Sequence, residues 1–223
     1  MSSYQYELKN VYLGYEFEPS SSTIAYFPFK EDASDKAGSR TLTLSNCSVS
    51  GWVMNITSQA SYMSLSSTIW GSQITGSVWY YYWALSTWWW WNTLFAKNWW
   101  TYHHVLLPAT TSDWKTIWNI WFYNSGFYPS NKVLELSKWY HILFTKSWTN
   151  QKIYVNGVLV LDSNSSFDNN SQPLWMISSY NTWSWNQWAQ WKMSEVFFES
   201  RVWTADEVLK YYNATKSLYW ITN

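Results

Sequence analysis

From Lys152 to Val160 the chain reads Lys-Ile-Tyr-Val-Asn-Gly-Val-Leu-Val. Asn-Gly between two alternating runs is the strongest short-range signal for a β-hairpin, because a type I′ turn needs positive φ at both central residues and these two residue types tolerate it best. The alternation puts Ile153 and Val155 on one face and Lys152 and Tyr154 on the other. A hairpin with an apolar face is not stable alone, so the rest of the chain has to supply a second layer.

That layer is predicted from short aromatic or alternating runs, separated by Ser, Asn, Asp, Pro and Gly clusters, that recur along nearly the whole chain. Strands are expected at Thr23 to Phe29, Arg40 to Leu44, Ser48 to Met54, Ser61 to Leu65, Ser77 to Leu85, Asn92 to Ala96 and His103 to Leu107. They continue at Thr116 to Tyr123, Lys132 to Leu136, Trp139 to Lys146, Gln151 to Val155, Val158 to Leu161, Leu174 to Ser178 and Lys192 to Phe198. Such a set suits two packed sheets, and 223 residues suit one all-β domain. The one helix is predicted to begin at Thr204, where Thr-Ala-Asp-Glu forms a capping box and Val208, Tyr211 and Tyr212 give an apolar stripe. Residues 1–22 read as an N-terminal arm that packs on the domain or on a neighbouring subunit, or else as an extra edge strand, and 23–223 as the domain.

With 14 basic and 14 acidic side chains and no basic stripe, nucleic acid is not an expected partner. A charged fraction of 13% leaves a surface of Ser, Thr, Asn and aromatic groups, which suits neutral polar partners. The longest apolar run, Val78 to Leu85, is too short to cross a bilayer, and the first twenty residues lack the apolar core of an export signal. The lone Cys47 forms no internal disulfide and is expected as a small strand residue. Sequons at Asn46, Asn55, Asn164, Asn169 and Asn213 are expected chance matches in an Asn/Ser-rich chain.

Twenty-two Trp against seven Gly reverses the usual balance, in which glycine is ~7% of residues. Trp occupies turn contexts that ordinarily call for glycine: Trp88 to Trp91, Trp99 and Trp100, Trp114, Trp148, and the series Trp183, Trp185, Trp188 and Trp191. Excess and deficit have one explanation if many of these positions are glycine in the natural protein, encoded by a UGA codon that some bacterial lineages read as glycine. Taken as tryptophan, they load the loops with aromatic surface suited to sugar stacking or adhesion.

The run Trp139-Tyr140-His141-Ile142, followed by Lys152-Ile153-Tyr154-Val155-Asn156-Gly157, resembles the laminin-G-like and pentraxin-type jelly roll. Ala25 to Asp35 is similar to that family's first core strand and loop, Lys192 to Phe198 to its last core strand, and Arg201 to Tyr212 to its closing helix. The resemblance covers roughly residues 23–215 and implies a two-sheet antiparallel, concanavalin A-like lectin sandwich. Trp148 and Trp191 stand where that family usually has glycine.

Glu195 and Glu199 have the outer spacing of a catalytic carboxylate strand, but the intervening Phe197 neither charges nor orients them, so a polar strand edge is expected. His103 and His104 point to opposite faces and do not form a metal pair, and His141 reads as structural. Asp32 with Asp35, or Asp162 with Asn164 and Asp168, offers oxygens for calcium but equally fits Asx-turns. Trp79 to Trp83 and Trp183 to Trp191 are the candidate sugar platforms, and no ligand-binding residue is singled out. No nucleophile elbow or phosphate loop is present, so no catalytic residue, metal site or cofactor is assigned. The expectation is a non-enzymatic surface module binding glycans or a cell-surface polymer, on a virion or outside the cell. Its alternative is a structural protein of a phage or virus particle, contacting neighbouring or identical subunits.

Overall fold

The computed structural model describes residues 17–56, 61–69, 71–84, 92–97, 103–107, 119–123, 127–135, 137–148, 150–164, 174–177 and 190–219. They form fifteen strands: β1 (Thr23–Phe27), β2 (Leu42–Ser45), β3 (Cys47–Ser50), β4 (Val53–Ile56), β5 (Tyr62–Ile69), β6 (Gln73–Ala84), β7 (Asn92–Lys97) and β8 (His103–Leu107). There follow β9 (Asn119–Tyr123), β10 (Phe127–Val133), β11 (Trp139–Ser147), β12 (Asn150–Val155), β13 (Val158–Ser163), β14 (Leu174–Ile177) and β15 (Gln190–Glu199). The chain ends in helix α1 (Ala205–Thr215) and a 3-10 turn, Lys216–Tyr219. One sheet runs β13-β12-β11-β6-β15-β4-β3, with β1 added on β15, and the other runs β10-β9-β8-β7-β14-β5-β2. Among the described residues, the expected all-β, antiparallel two-sheet sandwich with one short C-terminal helix is the fold found.

Alternation decides what each layer buries. From the first sheet Val78, Tyr80, Ile142, Phe144, Ile153, Val155 and Phe198 point inward to meet Met63, Leu65, Leu94 and Phe95 of the second. Gly76 is required by this packing, since a Cβ there would lie 2.2 Å from the Phe144 ring. The outer face of the first sheet carries a second apolar layer of Tyr26, Leu143, Tyr154, Phe197, Trp203, Val208 and Tyr211. Phe17, just before β1, stacks on Phe197 at 4.0 Å between ring centroids.

Helix α1 closes that outer face and starts where the sequence predicts. The Thr204 hydroxyl accepts from the Glu207 amide at 3.2 Å, and the Glu207 carboxylate accepts from the Thr204 amide at 2.8 Å. Arg201 bridges the strand end and the helix start, 2.9 Å from Glu199 and 2.6 Å from Glu207. Thr204→Ala is expected to cost ~1 kcal/mol, read from the denaturant midpoint with an unchanged m-value.

Three strand expectations need correction. Lys132 to Leu136 is not a strand, because β10 spans Phe127–Val133 and Leu134 and Glu135 lie beyond its end. Ser48 to Met54 is not one strand: Gly51 and Trp52 form a two-residue turn between β3 and β4, with Ser50 paired to Val53. Trp191 lies inside β15, not before it, because that strand begins at Gln190. The Asn156-Gly157 hairpin, in contrast, has the expected positive φ at both residues, 52° and 78°.

Candidate functional site

β6 and β11 lie side by side, with Trp79 opposite His141 and Tyr81 opposite Trp139. All four side chains belong to the outer face, because the intervening Tyr80 and Tyr140 enter the core between the sheets. Tyr219 of the 3-10 turn stacks on Trp79 at 4.1 Å and Tyr212 of α1 lies at 6.0 Å, so Trp79 is fully buried. Tyr81 and Trp139 stay partly exposed where the helix cover ends. Their rings are 5.4 Å apart, Trp139 leans on Tyr219 at 4.8 Å, and the Lys192 ammonium lies 5.8 Å from the Tyr81 ring centre. The result is a half-buried aromatic ledge beside the Lys192 ammonium, chemistry that suits the apolar face and hydroxyls of a sugar. Of the expected platform on this strand, Trp79 and Tyr80 are buried and Tyr81 alone is a described, partly exposed ring; the side chains of Tyr82 and Trp83 lie outside the described residues. Trp183, Trp185 and Trp188 lie outside them as well.

The carboxylates of β15 are corrected from a polar edge to buried groups, Glu195 at 4% and Glu199 at 2% exposure. Between Ser194 and Phe197 one extra residue interrupts the pairing with β6, and Glu195 takes a φ of 47° there. This bulge turns its carboxylate under α1, where it accepts from the Tyr211 hydroxyl at 2.7 Å. Burial first, and the neighbouring Glu195 charge second, push the Tyr211 hydroxyl well above the usual phenol range. Glu199 accepts from the Trp203 indole N–H and pairs with Arg201. Both carboxylates fasten the closing segment to the sheet, so partners from Arg201 to Tyr211 explain burial that the strand sequence alone did not signal.

His141 is also buried. Its Nε2 is 2.8 Å from the Ser77 hydroxyl, and its backbone N–H donates to the Asn156 side-chain oxygen at 2.9 Å, tying β11 to the hairpin turn. Burial holds the imidazole pKa down at about 3, so the ring is neutral. His103 and His104 lie on β8, and their side chains fall outside the described residues.

The acidic loops are occupied locally. Asp35 accepts from the amides of Tyr26, Ala37 and Arg40 at 2.9, 2.9 and 3.2 Å. Asp32 accepts from the Ser34 hydroxyl and, at 2.9 Å, from the Ser34 amide, and these two hydrogen bonds, the hydroxyl first, lower its pKa. Asp162 and Asn164 both accept from Asn150, at 2.7 and 2.8 Å, while Asp168 lies outside the described residues. Among the described residues no three His, Cys, Asp or Glu side chains are grouped to hold a metal. Cys47 sits partly buried in β3. No described helix is long and apolar enough to cross a membrane.

No family model and no curated protein sequence matches the chain. Solved structures do. Trypanosoma rangeli sialidase in complex with sialic acid matches with a TM-score of 0.72 at 11% identity, over 90% of this chain and 34% of the sialidase. The chain therefore spans about a third of the sialidases it matches. Domain 4 of AbnA, a GH43 extracellular arabinanase from Geobacillus stearothermophilus, in complex with arabinotriose, matches with a TM-score of 0.59 at 17% identity, over 85% of this chain and 98% of that domain. The receptor binding domain of botulinum neurotoxin D gives a TM-score of 0.59 at 12% identity, over 86% of this chain and 52% of that domain's chain.

At these identities the likeness establishes the fold alone, an all-β sandwich. The expectation of a non-enzyme is overturned. Sialidases are among the matches and the arabinanase domain is part of an enzyme, so this fold belongs equally to carbohydrate-active enzymes and a missing sequence motif does not set the chain apart from them. The phage or virion reading finds no support among these structures.

Proposed function

We propose that the chain recognises carbohydrate, with a glycan or cell-surface polymer as its partner. The observation that carries this reading is the match to nearly all of an arabinanase domain whose structure holds arabinotriose, at the scale of one complete sandwich. A surface with few charges and many hydroxyl and amide groups agrees with a neutral polyhydroxylated ligand. Within this reading, the narrower laminin-G-like or pentraxin-type affiliation rests on the Trp139-Tyr140-His141-Ile142 strand and the Asn156-Gly157 hairpin. The Tyr81–Trp139 ledge is the described surface best built to stack a sugar ring.

Titration with arabino-oligosaccharides and sialylated oligosaccharides, followed by tryptophan fluorescence and calorimetry, tests the reading. Saturable binding to one of the two classes is expected. Loss of one stacking partner in Trp139→Ala removes ~0.5–1.5 kcal/mol, up to about tenfold in Kd. No saturation with either class counts against the reading, and unchanged affinity in Trp139→Ala removes the ledge from it.

A further inference from the structure

Four of the described tryptophans, at the extremes of burial and exposure, form two contrasting pairs. Trp79 and Trp203 are buried, stacked on neighbouring rings, and have ordinary negative φ. Trp52 and Trp148 are 54% and 65% exposed, and both have left-handed backbone, with φ of 69° and 51°. Exposure and backbone sign change together.

Both exposed residues sit in two-residue hairpin loops. Gly51 and Trp52, with φ of 60° and 69°, join the paired residues Ser50 and Val53. Asn156 and Gly157, with φ of 52° and 78°, join Val155 and Val158 in the same manner. Trp52 therefore holds the place in one primed turn that Gly157 holds in the other. Trp148 holds the first central place between Ser147 and Asn150, where primed turns again require positive φ. An L-residue with a bulky side chain is strained in this region, whereas glycine is not.

Other non-glycine residues adopt positive φ here, but the large or charged ones are held by contacts. Phe29 is fully buried in the core, and Glu195 is pinned beneath α1 by Tyr211. The Lys30 ammonium lies 5.2 Å from the centre of the Trp52 ring. Trp148 is anchored by its backbone, whose N–H donates to the Ser72 carbonyl at 2.8 Å, a bond that glycine makes equally well. Neither indole is placed by the core.

We propose that positions 52 and 148 are glycine in the protein as its own cells make it, through UGA codons translated as glycine, and that Trp79 and Trp203 are true tryptophans encoded by UGG. The reassigned positions are those that need left-handed backbone, and the retained ones are those that fill apolar space. Position 52 then completes a Gly-Gly turn, and the sugar-facing aromatic surface is built from rings packed on neighbours, such as Tyr81 and Trp139, and not from indoles at turn tips.

The codons of the gene and peptide sequencing by mass spectrometry of the protein purified from its own cells test this together. The expected result is UGA with glycine at 52 and 148, and UGG with tryptophan at 79 and 203. UGG or tryptophan at either turn position overturns the proposal, as does glycine at 79 or 203.

Discussion

Trp79→Ala is expected to destabilise the fold by ~3–5 kcal/mol, the range for deleting a fully buried large aromatic side chain. Trp79 joins three elements: it lies on β6, its ring is 5.2 Å from His141 of β11, and it supports Tyr219 and Tyr212 of the closing segment. Truncation removes the ring on which Tyr212 of α1 and Tyr219 of the 3-10 turn stack. Denaturant unfolding by far-UV circular dichroism measures it as a fall in the midpoint. Trp79→Phe retains a ring and is expected to lose less than alanine. A loss below ~0.5 kcal/mol, the level of an ordinary surface change, contradicts the packing described.

Acid is expected to destabilise the protein through His141, beginning above the carboxylate range. The folded state holds this imidazole neutral down to about pH 3, whereas the unfolded chain protonates it near the ordinary value of 6.5. The unfolded state therefore binds the extra proton as pH falls. The stabilising contribution is complete above pH 6.5 and is lost progressively toward about pH 3. The slope approaches ~1.4 kcal/mol per pH unit once the unfolded histidine is protonated. Between pH 6.5 and about 5 most carboxylates remain ionised, and His141→Gln leaves His103 and His104 in place, so the comparison of the two proteins isolates His141. Unfolding free energies across the window are expected to slope in the native chain and to flatten in His141→Gln. A flat native profile shows that the ring reaches water.

Much of the fold was legible because its decisive signals are local. The Thr204–Glu207 capping box, the Asn156-Gly157 turn and the alternation of Ile153 and Val155 each depend on residues within a few positions, and each appears as the sequence predicts. The β3–β4 hairpin was not legible because its turn reads Gly51-Trp52, and tryptophan conceals the signal that a second glycine displays. The order of the second sheet, with β14 between β7 and β5, rests on pairings distant in sequence that no local pattern encodes.

The site was legible only in outline. Trp79 to Trp83 announced aromatic faces, but which rings remain accessible depends on Tyr212 and Tyr219, more than a hundred residues later. Glu195 and Glu199 looked like a solvated edge because carboxylates are rarely buried without partners. Their partners, Tyr211, Trp203 and Arg201, come from the segment that folds back over the strand.

Carbohydrate recognition is tested most directly by a glycan array probed with the protein purified from its own cells. Saturable binding confined to related glycans, competed by the free sugar, is the predicted result. A flat response across the array, from a protein whose unfolding transition shows it to be folded, contradicts it.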